Sequence, residues 1–345
     1  TDLTLQLHTL RGTMSPPQPT VVISAPLPAA LRARVAAACR IIDVPPGASL
    51  SEAVPAGDRA LVEGVLCTLK TSIGKEQLAA LPKLRVVSNY AVGFDNISVP
   101  MASEHDVLVC NTPAVLDRAV ADLTIGLLIC LARGMVAGDA FVRSGAWTKG
   151  AAPLTMDIAG KTLGLLGMGR IGTLVARTAR AFDMKVVYHN RRRDEAAEAE
   201  GLATYVDRNA LFSQSDIVSV HIPLSAETRG SVGKPELDLM KPTAYLINTA
   251  RGPVVDEAAL IAHLQQGKIA GAGLDVMEKE PLPADSPLCS LPNVVLQAHV
   301  GSGTVETRRA MMDLAVDNLL DALSAKPPKA MVNPDTWAAA QRRAA

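Results

Sequence analysis

A glycine-rich turn at residues 167–172 could bind phosphate groups. Its letters, GMGRIG, follow the apolar run TLGLL, which predicts a buried strand, and they open an amphipathic helix. In such a strand–turn–helix unit, the first glycine permits the tight turn, the second lets the backbone approach a pyrophosphate, and the third lets the helix pack on the strand. The free amides at the helix N-terminus then bind the phosphates. We therefore expect a dinucleotide to be bound by Gly167, Met168, Gly169, Arg170, Ile171 and Gly172.

The next predicted strand ends in a polar tip, HNRRR, at residues 189–193. An acidic residue there would accept a hydrogen bond from a free ribose 2′-hydroxyl and would repel a 2′-phosphate. Asn190 is uncharged, and Arg191 and Arg192 offer forked donors suited to a phosphate. The tip, which begins at His189, thus favours NADP(H) as the cofactor, with NAD(H) as the alternative. A mixed charge run is also typical of a solvated helix start, and Arg193 fits that interpretation best.

Three further polar residues follow later predicted strands. Arg251 lies in INTARGPVVDEAAL, Glu280 in LDVMEKEPLP and His299 in LQAHVGSGT. Open parallel sheets carry their active sites at the carboxyl ends of their strands. These three residues are therefore the candidate catalytic set, and Glu278 is the alternative to Glu280.

The elements that must position these residues are parallel βα units. Short β-branched runs alternate with helical stretches, as expected for such a fold. The first group of predicted strands lies at residues 21–25, 64–69, 84–89 and 107–110, with helices at 28–39 and 75–81. A long helix is expected from 116 to 143. The second group lies at 162–166, 185–189, 217–222, 244–248, 270–275 and 294–298, followed by a helix at 305–325.

This pattern predicts an α/β protein with two Rossmann-like or flavodoxin-like doubly wound parallel-sheet domains and a cleft between them. Residues 114–299 contain the glycine turn and should form the dinucleotide-binding Rossmann domain. The last helix follows the final strand of that domain and should cross back to the other one. The substrate (catalytic) domain is therefore expected to be discontinuous, with residues 1–113 plus 300–345.

Charge and apolar patterning disfavour two classes of partner. The chain has 34 basic and 34 acidic residues, so no net charge attracts nucleic acid or an anionic membrane surface. The longest apolar run, residues 123–132, is too short to span a bilayer. Residues 1–19 show no secretory signal, and Met14 is the expected natural start.

The five cysteines are widely spaced along the chain. They form no CxxC pair and no cluster with histidines at metal-ligand spacing, so no metal site is expected. Buried free thiols in a cytoplasmic protein are the simplest interpretation. The five residues are Cys39, Cys67, Cys110, Cys130 and Cys289.

Together these motifs resemble those of the D-isomer-specific 2-hydroxyacid dehydrogenases. The resemblance runs from about residue 21 to residue 332 and includes NYAVGFDNI, the stretch AVADLTIGLLICLARG and the stretch SVHIPLSAETRG. Within that family, the HNRR tip is most similar to the NADPH-dependent glyoxylate/hydroxypyruvate reductases. One departure is Ala298, because many members have proline before the catalytic histidine.

The resemblance implies a reaction and a role for each catalytic residue. The reaction is NADPH-dependent reduction of glyoxylate, hydroxypyruvate or 2-ketogluconate to a D-2-hydroxy acid. His299 is implied as the general acid/base, Glu280 as its partner and Arg251 as the substrate anchor. An alkoxide formed by hydride addition needs a proton, which an imidazolium supplies near neutral pH. Substrate contacts are implied for Leu69, Val92, Gly93, Arg251 and His299.

Further cofactor contacts are implied by the same resemblance. Asp275 is matched to the nicotinamide amide, although an aspartate after a strand is also a common helix cap. The remaining positions are His221, Ile222, Pro223, Thr228, Thr249, Ala250 and Gly301.

A homodimer is expected, because the stretch DLTIGLLICLA is apolar on many faces and Trp147 follows it. The alternative is that this helix is buried within one subunit. Two other functions are also considered. One is a dinucleotide-binding corepressor-like scaffold of the same fold, and the other is an NAD-dependent D-2-hydroxyacid dehydrogenase with a different substrate range.

Overall fold

The computed structural model describes residues 18–343, so the expected start at Met14 lies outside the described residues. The chain forms two compact units. Among the described residues, the first contains residues 18–112 and 311–343, and the second is Pro113–Ala310. The expected division placed the second crossing at 299/300, whereas here it falls inside the last long helix.

The first unit contains a five-stranded, all-parallel sheet. Its strands are β1 (Thr20–Ser24), β2 (Arg40–Asp43), β3 (Val62–Cys67), β4 (Val86–Asn89) and β5 (Leu108–Cys110). Their order is β2-β1-β3-β4-β5, the flavodoxin-like arrangement. The sequence pattern missed β2, an edge strand with no fully buried residue and therefore no continuous apolar run.

The second unit contains a seven-stranded, all-parallel sheet. Its strands are β6 (Thr162–Leu166), β7 (Lys185–His189), β8 (Thr204–Tyr205), β9 (Ile217–Val220), β10 (Tyr245–Asn248), β11 (Gly271–Leu274) and β12 (Val294–Leu296). Their order is β12-β11-β10-β9-β6-β7-β8. The direction of winding reverses between β6 and β9, which is the topological switch point of a Rossmann sheet. The two-residue strand β8 was not predicted.

Helices cover both sheets. They are α1 (Ala29–Ala38), α2 (Leu50–Ala53), α3 (Ala56–Arg59), α4 (Lys75–Ala80), α5 (Val99–Glu104), α6 (Asp117–Ala132), α7 (Met135–Arg143), α8 (Arg170–Ala181), α9 (Glu195–Ala199), α10 (Arg208–Gln214), α11 (Lys234–Leu239), α12 (Glu257–Gln265), α13 (Val305–Leu323) and α14 (Trp337–Arg342). Short 3₁₀ turns lie at Ala146–Lys149, Gly252–Val254, Pro287–Ser290 and Pro334–Thr336.

The prediction of one helix over residues 116–143 is wrong. The stretch forms α6 and α7, bent by 56° at a break. Gly134 ends the first helix with a φ of +55°, a left-handed conformation that suits glycine and stops helix propagation. Leu127, Leu128 and Leu131 of α6 are buried in the core of the second unit, whereas α7 has no buried residue. By length and hydropathy, no single described helix could span a membrane, and only the bent α6–α7 pair meets that test jointly.

Each unit has its own hydrophobic core. In the first, Val22, Val65, Val87 and Val109 contribute one buried side chain each from β1, β3, β4 and β5. In the second, alternate strand residues point to opposite faces of the sheet, so Leu165 packs with the α6 and α8 side while Leu166 packs with the opposite face. Both faces are covered, as in a doubly wound sheet.

All five thiols are free. Burial raises the pKa of Cys39 to about 11, and it raises the pKa of Cys67 and of Cys110 to about 12. These three thiols are therefore inert and neutral at physiological pH. The expectation of buried cysteines does not hold for Cys289, which is exposed.

Candidate functional site

The three glycines of the turn after β6 meet different steric demands. A Cβ on Gly167, whose φ is +97°, would lie 2.8 Å from Ile222 Cγ2, and a Cβ on Gly172 would lie 2.5 Å from the Gly167 carbonyl oxygen. Both positions therefore exclude any side chain. A Cβ on Gly169 would meet no atom within 4 Å. The second glycine thus faces open space that a ligand could occupy.

The start of α8 offers donors to that space. The first hydrogen bond to its N-cap joins the Thr173 amide to the Gly169 carbonyl, and no side chain caps the helix. Among the described residues, the amides of Arg170, Ile171 and Gly172 consequently have no acceptor. Free amides and the helix dipole together bind anions. The residues present therefore fit the pyrophosphate of a dinucleotide.

The polar tip after β7 contacts the same turn. Asn190 Oδ1 accepts a hydrogen bond from the Met168 amide at 2.6 Å, and Asn190 Nδ2 donates to the Met168 carbonyl at 3.3 Å. His189 Nδ1 lies 3.0 Å from the Val206 carbonyl oxygen. Asn190 therefore fixes the phosphate-binding turn in addition to lacking a negative charge. No local pattern in the sequence indicated this second role.

The three arginines of the tip differ in their contacts. Arg193 forms an ion pair with Glu198 and stacks over the Tyr205 ring, with its guanidinium carbon 5.3 Å from the ring centroid. This arginine belongs to the helix start. Arg191 is 93% exposed and lies 3.8 Å from Glu227, while Arg192 is exposed and forms no ion pair within the described chain. Those two side chains remain accessible to a solvent-borne phosphate.

Arg170, predicted to contact the cofactor, directs its side chain elsewhere. Its Nε donates to Asp117 Oδ2 at 2.9 Å, and Asp117 is only 6% exposed. The other oxygen of this carboxylate, Asp117 Oδ1, is buried without a hydrogen-bond partner among the described residues. The Arg170 guanidinium is therefore held by Asp117, and its main-chain amide is the group that faces the phosphate site.

The candidate acid–base pair lies at the carboxyl end of the second sheet. His299 Nδ1 is 2.6 Å from Glu280 Oε2, and both side chains are about one-third exposed. Glu280 Oε1 also accepts a hydrogen bond from the Met277 amide at 3.1 Å. Burial alone would raise the pKa of Glu280, but the hydrogen bond with His299, that histidine's charge, the Met277 amide and the charge of Arg251 outweigh it and lower the pKa. Glu278, the alternative carboxylate, is exposed, and its amide donates to Glu257.

Asp275 holds the backbone on which His299 sits. His299 has a φ of +55°, which is unfavourable for a residue with a side chain. Its amide donates to the Asp275 carbonyl at 2.8 Å, and the Asp275 carboxylate accepts from the amides of Val300 and Gly301 at 2.7 and 2.8 Å. Burial raises the pKa of Asp275, although these amide bonds oppose the shift. Its predicted contact with nicotinamide stays a prediction.

Arg251 is positioned by a buried asparagine that the sequence did not single out. Asn248 is 1% exposed, accepts from the Ala250 amide at 3.0 Å and donates to the Arg251 carbonyl at 2.9 Å. The following glycine is in close contact with the next loop, because a Cβ on Gly252 would lie 1.8 Å from the Met277 carbonyl oxygen. This contact explains why the charge of Arg251 acts on Glu280. In the sequence, only the Asn-x-x-Arg-Gly spacing could have indicated this role of Asn248.

The other predicted cofactor residues cluster at the ends of β9 and β10. Burial of the His221 ring lowers its pKa to about 4, and its Nε2 lies 2.9 Å from Ser219 Oγ. Thr228 Oγ1 donates to the Pro223 carbonyl at 2.6 Å, so these two residues form one turn. Thr249 Oγ1 lies 2.9 Å from Thr124 Oγ1 on α6. His221 and Ile222 border Gly167 at the switch point.

In the first unit, the predicted substrate contacts follow adjacent strands. Leu69 comes after β3, and Val92 and Gly93 come after β4, so all three lie at the carboxyl edge of that sheet. All three are partly buried.

The second unit combines a Rossmann sheet and its glycine turn with a histidine–carboxylate pair and an arginine at neighbouring strand ends. This combination defines a nicotinamide-dependent dehydrogenase. Comparison with known proteins identifies the family of dehydrogenases to which the chain belongs. The family model "D-isomer specific 2-hydroxyacid dehydrogenase, NAD binding domain" matches residues 125–301. The chain belongs to this family, and it is an oxidoreductase that acts on CH–OH donors and uses a nicotinamide cofactor.

Individual relatives agree with this assignment. The chain is 46% identical to glyoxylate reductase of Thermococcus litoralis over 280 residues, which cover 79% of this chain and 84% of the relative. It is 43% identical to glyoxylate/hydroxypyruvate reductase B of Salmonella typhi over 92% of this chain and 98% of the relative. The crystal structure of an NADPH-dependent glyoxylate/hydroxypyruvate reductase from Sinorhizobium meliloti, in complex with NADP and malonate, is similar with a TM-score of 0.84. That match has 35% identity and covers 92% and 97% of the two chains.

The predicted family and the predicted class of two doubly wound α/β domains are thereby confirmed.

Proposed function

We propose that this protein catalyses NADPH-dependent reduction of small 2-oxo acids, namely glyoxylate, hydroxypyruvate and 2-ketogluconate, to D-2-hydroxy acids. The observation that carries the proposal is the 2.6 Å contact between His299 Nδ1 and Glu280 Oε2 at a strand end. A histidine held in this way by a carboxylate is suited to proton transfer. The relatives that are named as glyoxylate and hydroxypyruvate reductases support the choice of substrates.

The residues of this chain divide the reaction between them. A bound nicotinamide supplies the hydride. Because Nδ1 of His299 faces Glu280, Nε2 is the nitrogen that donates a proton to the carbonyl oxygen as negative charge develops there. Glu280 fixes the ring and stabilises its protonated form. Arg251 binds the substrate carboxylate and polarises the ketone, and the amides of Val92 and Gly93 are further carboxylate ligands.

The preference for NADP(H) rests on the tip after β7. Asn190 adds no negative charge there, and the guanidinium groups of Arg191 and Arg192 are accessible. Glu227 lies 3.8 Å from Arg191, but both side chains of that pair are highly exposed, so their ion pair is weak and a 2′-phosphate can displace it. Arg192 forms no ion pair with any described residue. NAD(H) is the weaker alternative.

The proposed working form is a cytoplasmic homodimer without nucleic-acid or membrane partners. The support for the dimer is an apolar surface on α7 and the segment that follows it. Its members are large and exposed: Met135, Val136, Val142, Trp147 and Leu154. The balanced charge supports the lack of nucleic-acid and membrane partners, and the free thiols support a cytoplasmic location.

A spectrophotometric assay tests the function. The purified protein should oxidise NADPH rapidly with glyoxylate, hydroxypyruvate or 2-ketogluconate. His299→Ala should lower turnover roughly 10²–10⁴-fold with either cofactor, because it removes the proton donor. His105→Ala is the matched control, since His105 is exposed at the end of α5 and should leave turnover unchanged. A scaffold would give background rates with every 2-oxo acid.

A further inference from the structure

The loop after β4 in the first unit has three successive carbonyl groups that are all bonded by buried donors. The Ala91 oxygen accepts from the Thr112 amide at 2.9 Å, the Val92 oxygen from Asn111 Nδ2 at 2.8 Å, and the Gly93 oxygen from Asn89 Nδ2 at 2.9 Å. Asn89 is fully buried and Asn111 is 8% exposed. The orientation of three consecutive peptide groups is therefore fixed from inside the protein.

This orientation decides where the amides of the same peptide groups point. In a trans peptide, the C=O and N–H bonds point in opposite directions. Because the carbonyls of residues 91–93 bond to the interior, the amides of Val92, Gly93 and Phe94 point away from those donors. Within the described part of the chain, none of these three amides has an acceptor. Successive free amides form an anion-binding concavity.

The two asparagines are themselves held in place. Asn89 Nδ2 also donates to Asn96 Oδ1 at 3.2 Å, and Asn96 Nδ2 donates to the Thr71 carbonyl at 2.9 Å and to the Thr68 carbonyl at 3.3 Å. Asn96 therefore ties the amide loop to the loop after β3, which contains Leu69.

On the other side, Asn318 is fully buried on α13, and its Nδ2 donates to the Asn111 carbonyl at 3.0 Å. The predicted substrate contacts of this unit thus share one hydrogen-bonded framework.

We propose that Asn111 and Asn89 are positioning residues for substrate binding. They hold the Val92 and Gly93 carbonyls and thereby present the amides of Val92, Gly93 and Phe94 to the carboxylate of the 2-oxo acid. Phe94 is a third donor, in addition to the two that the sequence indicated. The inference rests on the proposed function, because it assumes a carboxylate substrate. An apolar residue at position 111 would leave a buried carbonyl unpaired and free the peptide to rotate.

Steady-state kinetics of Asn111→Leu test the proposal without adding charge. At saturating NADPH, the KM for glyoxylate should rise about 10-fold or more, the factor expected for losing a hydrogen bond to a charged group. Because that bond serves the bound substrate and the transition state alike, kcat should stay within about twofold. NADPH binding, followed by fluorescence, should be unchanged, since the glycine turn lies in the other unit.

Asn333→Leu is the matched control. Asn333 also donates to a backbone carbonyl of the first unit, that of Val107 at 3.0 Å, and accepts from the Val109 amide at 2.7 Å. Within the described part of the chain, it forms no hydrogen bond with residues 91–94. This variant should lose stability yet keep the wild-type KM. Equal increases in KM for both variants would mean that Asn111 is merely structural and would overturn the proposal.

A binding measurement separates this inference from the proposed function. Oxalate, a planar dicarboxylate probe, should shift the NMR resonances of the Val92, Gly93 and Phe94 amides in the ¹⁵N-labelled protein. The shift should weaken in Asn111→Ser, a smaller polar change that also serves if the leucine variant does not fold. No shift at these amides in the wild type would overturn the inference. Oxalate shifts in a protein that reduces no 2-oxo acid would refute the proposed function alone.

Discussion

At the scale of single residues, uncharged side-chain amides hold the segments that carry the candidate binding and catalytic residues. Asn190 bonds both the N–H and the C=O of Met168, and Asn248 bonds the Ala250 amide and the Arg251 carbonyl. Asparagine carries a donor and an acceptor without charge, so it can fix a turn from inside a protein at little electrostatic cost. The guanidinium of Arg191, which is 93% exposed, then remains accessible to a ligand.

The accessible arginines of the tip give the first prediction. Replacing both Arg191 and Arg192 with alanine should lower kcat/KM for NADPH by about 10–150-fold, because a charge-assisted hydrogen bond is worth about 1.5–3 kcal/mol. NADH has no phosphate at this position and should change little. Steady-state kinetics with both cofactors measure the ratio of kcat/KM for NADPH to kcat/KM for NADH.

Arg193→Ala is the matched control for that experiment. It removes a guanidinium from the same tip, but one that is bound to Glu198 and Tyr205. It should reduce stability slightly and leave the NADPH/NADH ratio unchanged. If the ratio is the same in the double variant as in the wild type, the arginines do not bind the 2′-phosphate.

His221 gives a prediction about pH. Burial lowers its pKa from 6.5 to about 4, so below pH 6.5 the unfolded chain binds a proton that the folded protein does not. The contribution of the neutral His221 ring to the free energy of unfolding is therefore complete above pH 6.5, and it is lost as the pH falls towards 4. Between pH 7 and pH 5, this one residue should remove about 2 kcal/mol from the free energy of unfolding.

Urea denaturation of the wild type and His221→Asn at both pH values isolates that effect. All other titrating groups contribute equally to the two proteins. The loss of unfolding free energy between pH 7 and pH 5 in the wild type, minus the same loss in the variant, therefore reports His221 alone. The wild type should lose about 2 kcal/mol more than the variant. Equal losses would show that the ring is not shielded from protonation in the folded protein.

At the scale of elements, the ends of adjacent parallel strands bring the candidate catalytic residues together. Arg251 follows β10, Asp275 and Glu280 follow β11, and His299 follows β12. These strands are neighbours in one sheet. The loops after β10 and β11 approach each other so closely at Gly252 that no side chain fits there.

Gly252→Ala should therefore separate the Arg251 loop from the loop that contains Met277 and Glu280. The new methyl group would lie 1.8 Å from the Met277 oxygen, so the backbone must move. Overpacking of this kind costs about 1–3 kcal/mol of stability. We expect kcat/KM to fall by at least about tenfold with both cofactors, because misplaced catalytic groups are inefficient. Thermal unfolding and steady-state assays measure the two effects.

Gly126→Ala on α6 is the matched control. A Cβ there would meet nothing within 4 Å, so the change should raise helix stability by roughly 0.5–1 kcal/mol without affecting turnover. Full activity in Gly252→Ala would mean that the two loops can separate without moving the catalytic groups.

At the scale of the whole molecule, five large exposed apolar residues follow one another along α7 and the segment after it, namely Met135, Val136, Val142, Trp147 and Leu154. Trp147 is 66% exposed and Leu154 is fully exposed, whereas the apolar side of α6 is buried. The alternative of a helix buried within one subunit thus applies to α6 but not to α7. Contiguous exposed apolar residues mark an interaction surface.

Light scattering should give a particle of twice the 36.1 kDa chain mass. Replacing both Trp147 and Leu154 with glutamate should shift the protein towards the monomer, because buried charges oppose association. Leu61→Glu, which alters an exposed leucine of the first unit, should leave the mass unchanged. A monomeric wild type at micromolar concentration would contradict the proposed dimer.

The sequence alone determined the parts of this protein that depend on local patterning. Continuous apolar runs such as TLGLL and YLIN predict buried parallel strands, because both faces of such a sheet are covered. The glycine turn and the polar strand ends follow from the same local rules. Since parallel strands end at a common edge, the proximity of Arg251, Glu280 and His299 could be predicted before any coordinates were known.

Only the tertiary structure decided how those residues are held. The edge strands β2 and β8 form because a neighbouring strand offers hydrogen bonds, and the exposed sides of such strands leave no apolar pattern in the sequence. The roles of Asn190, Asn111 and Asp275 depend on partners that lie 19 to 26 residues away. A hydrogen bond between distant residues depends on where the folded chain brings its donor and acceptor, and no local spacing encodes that position.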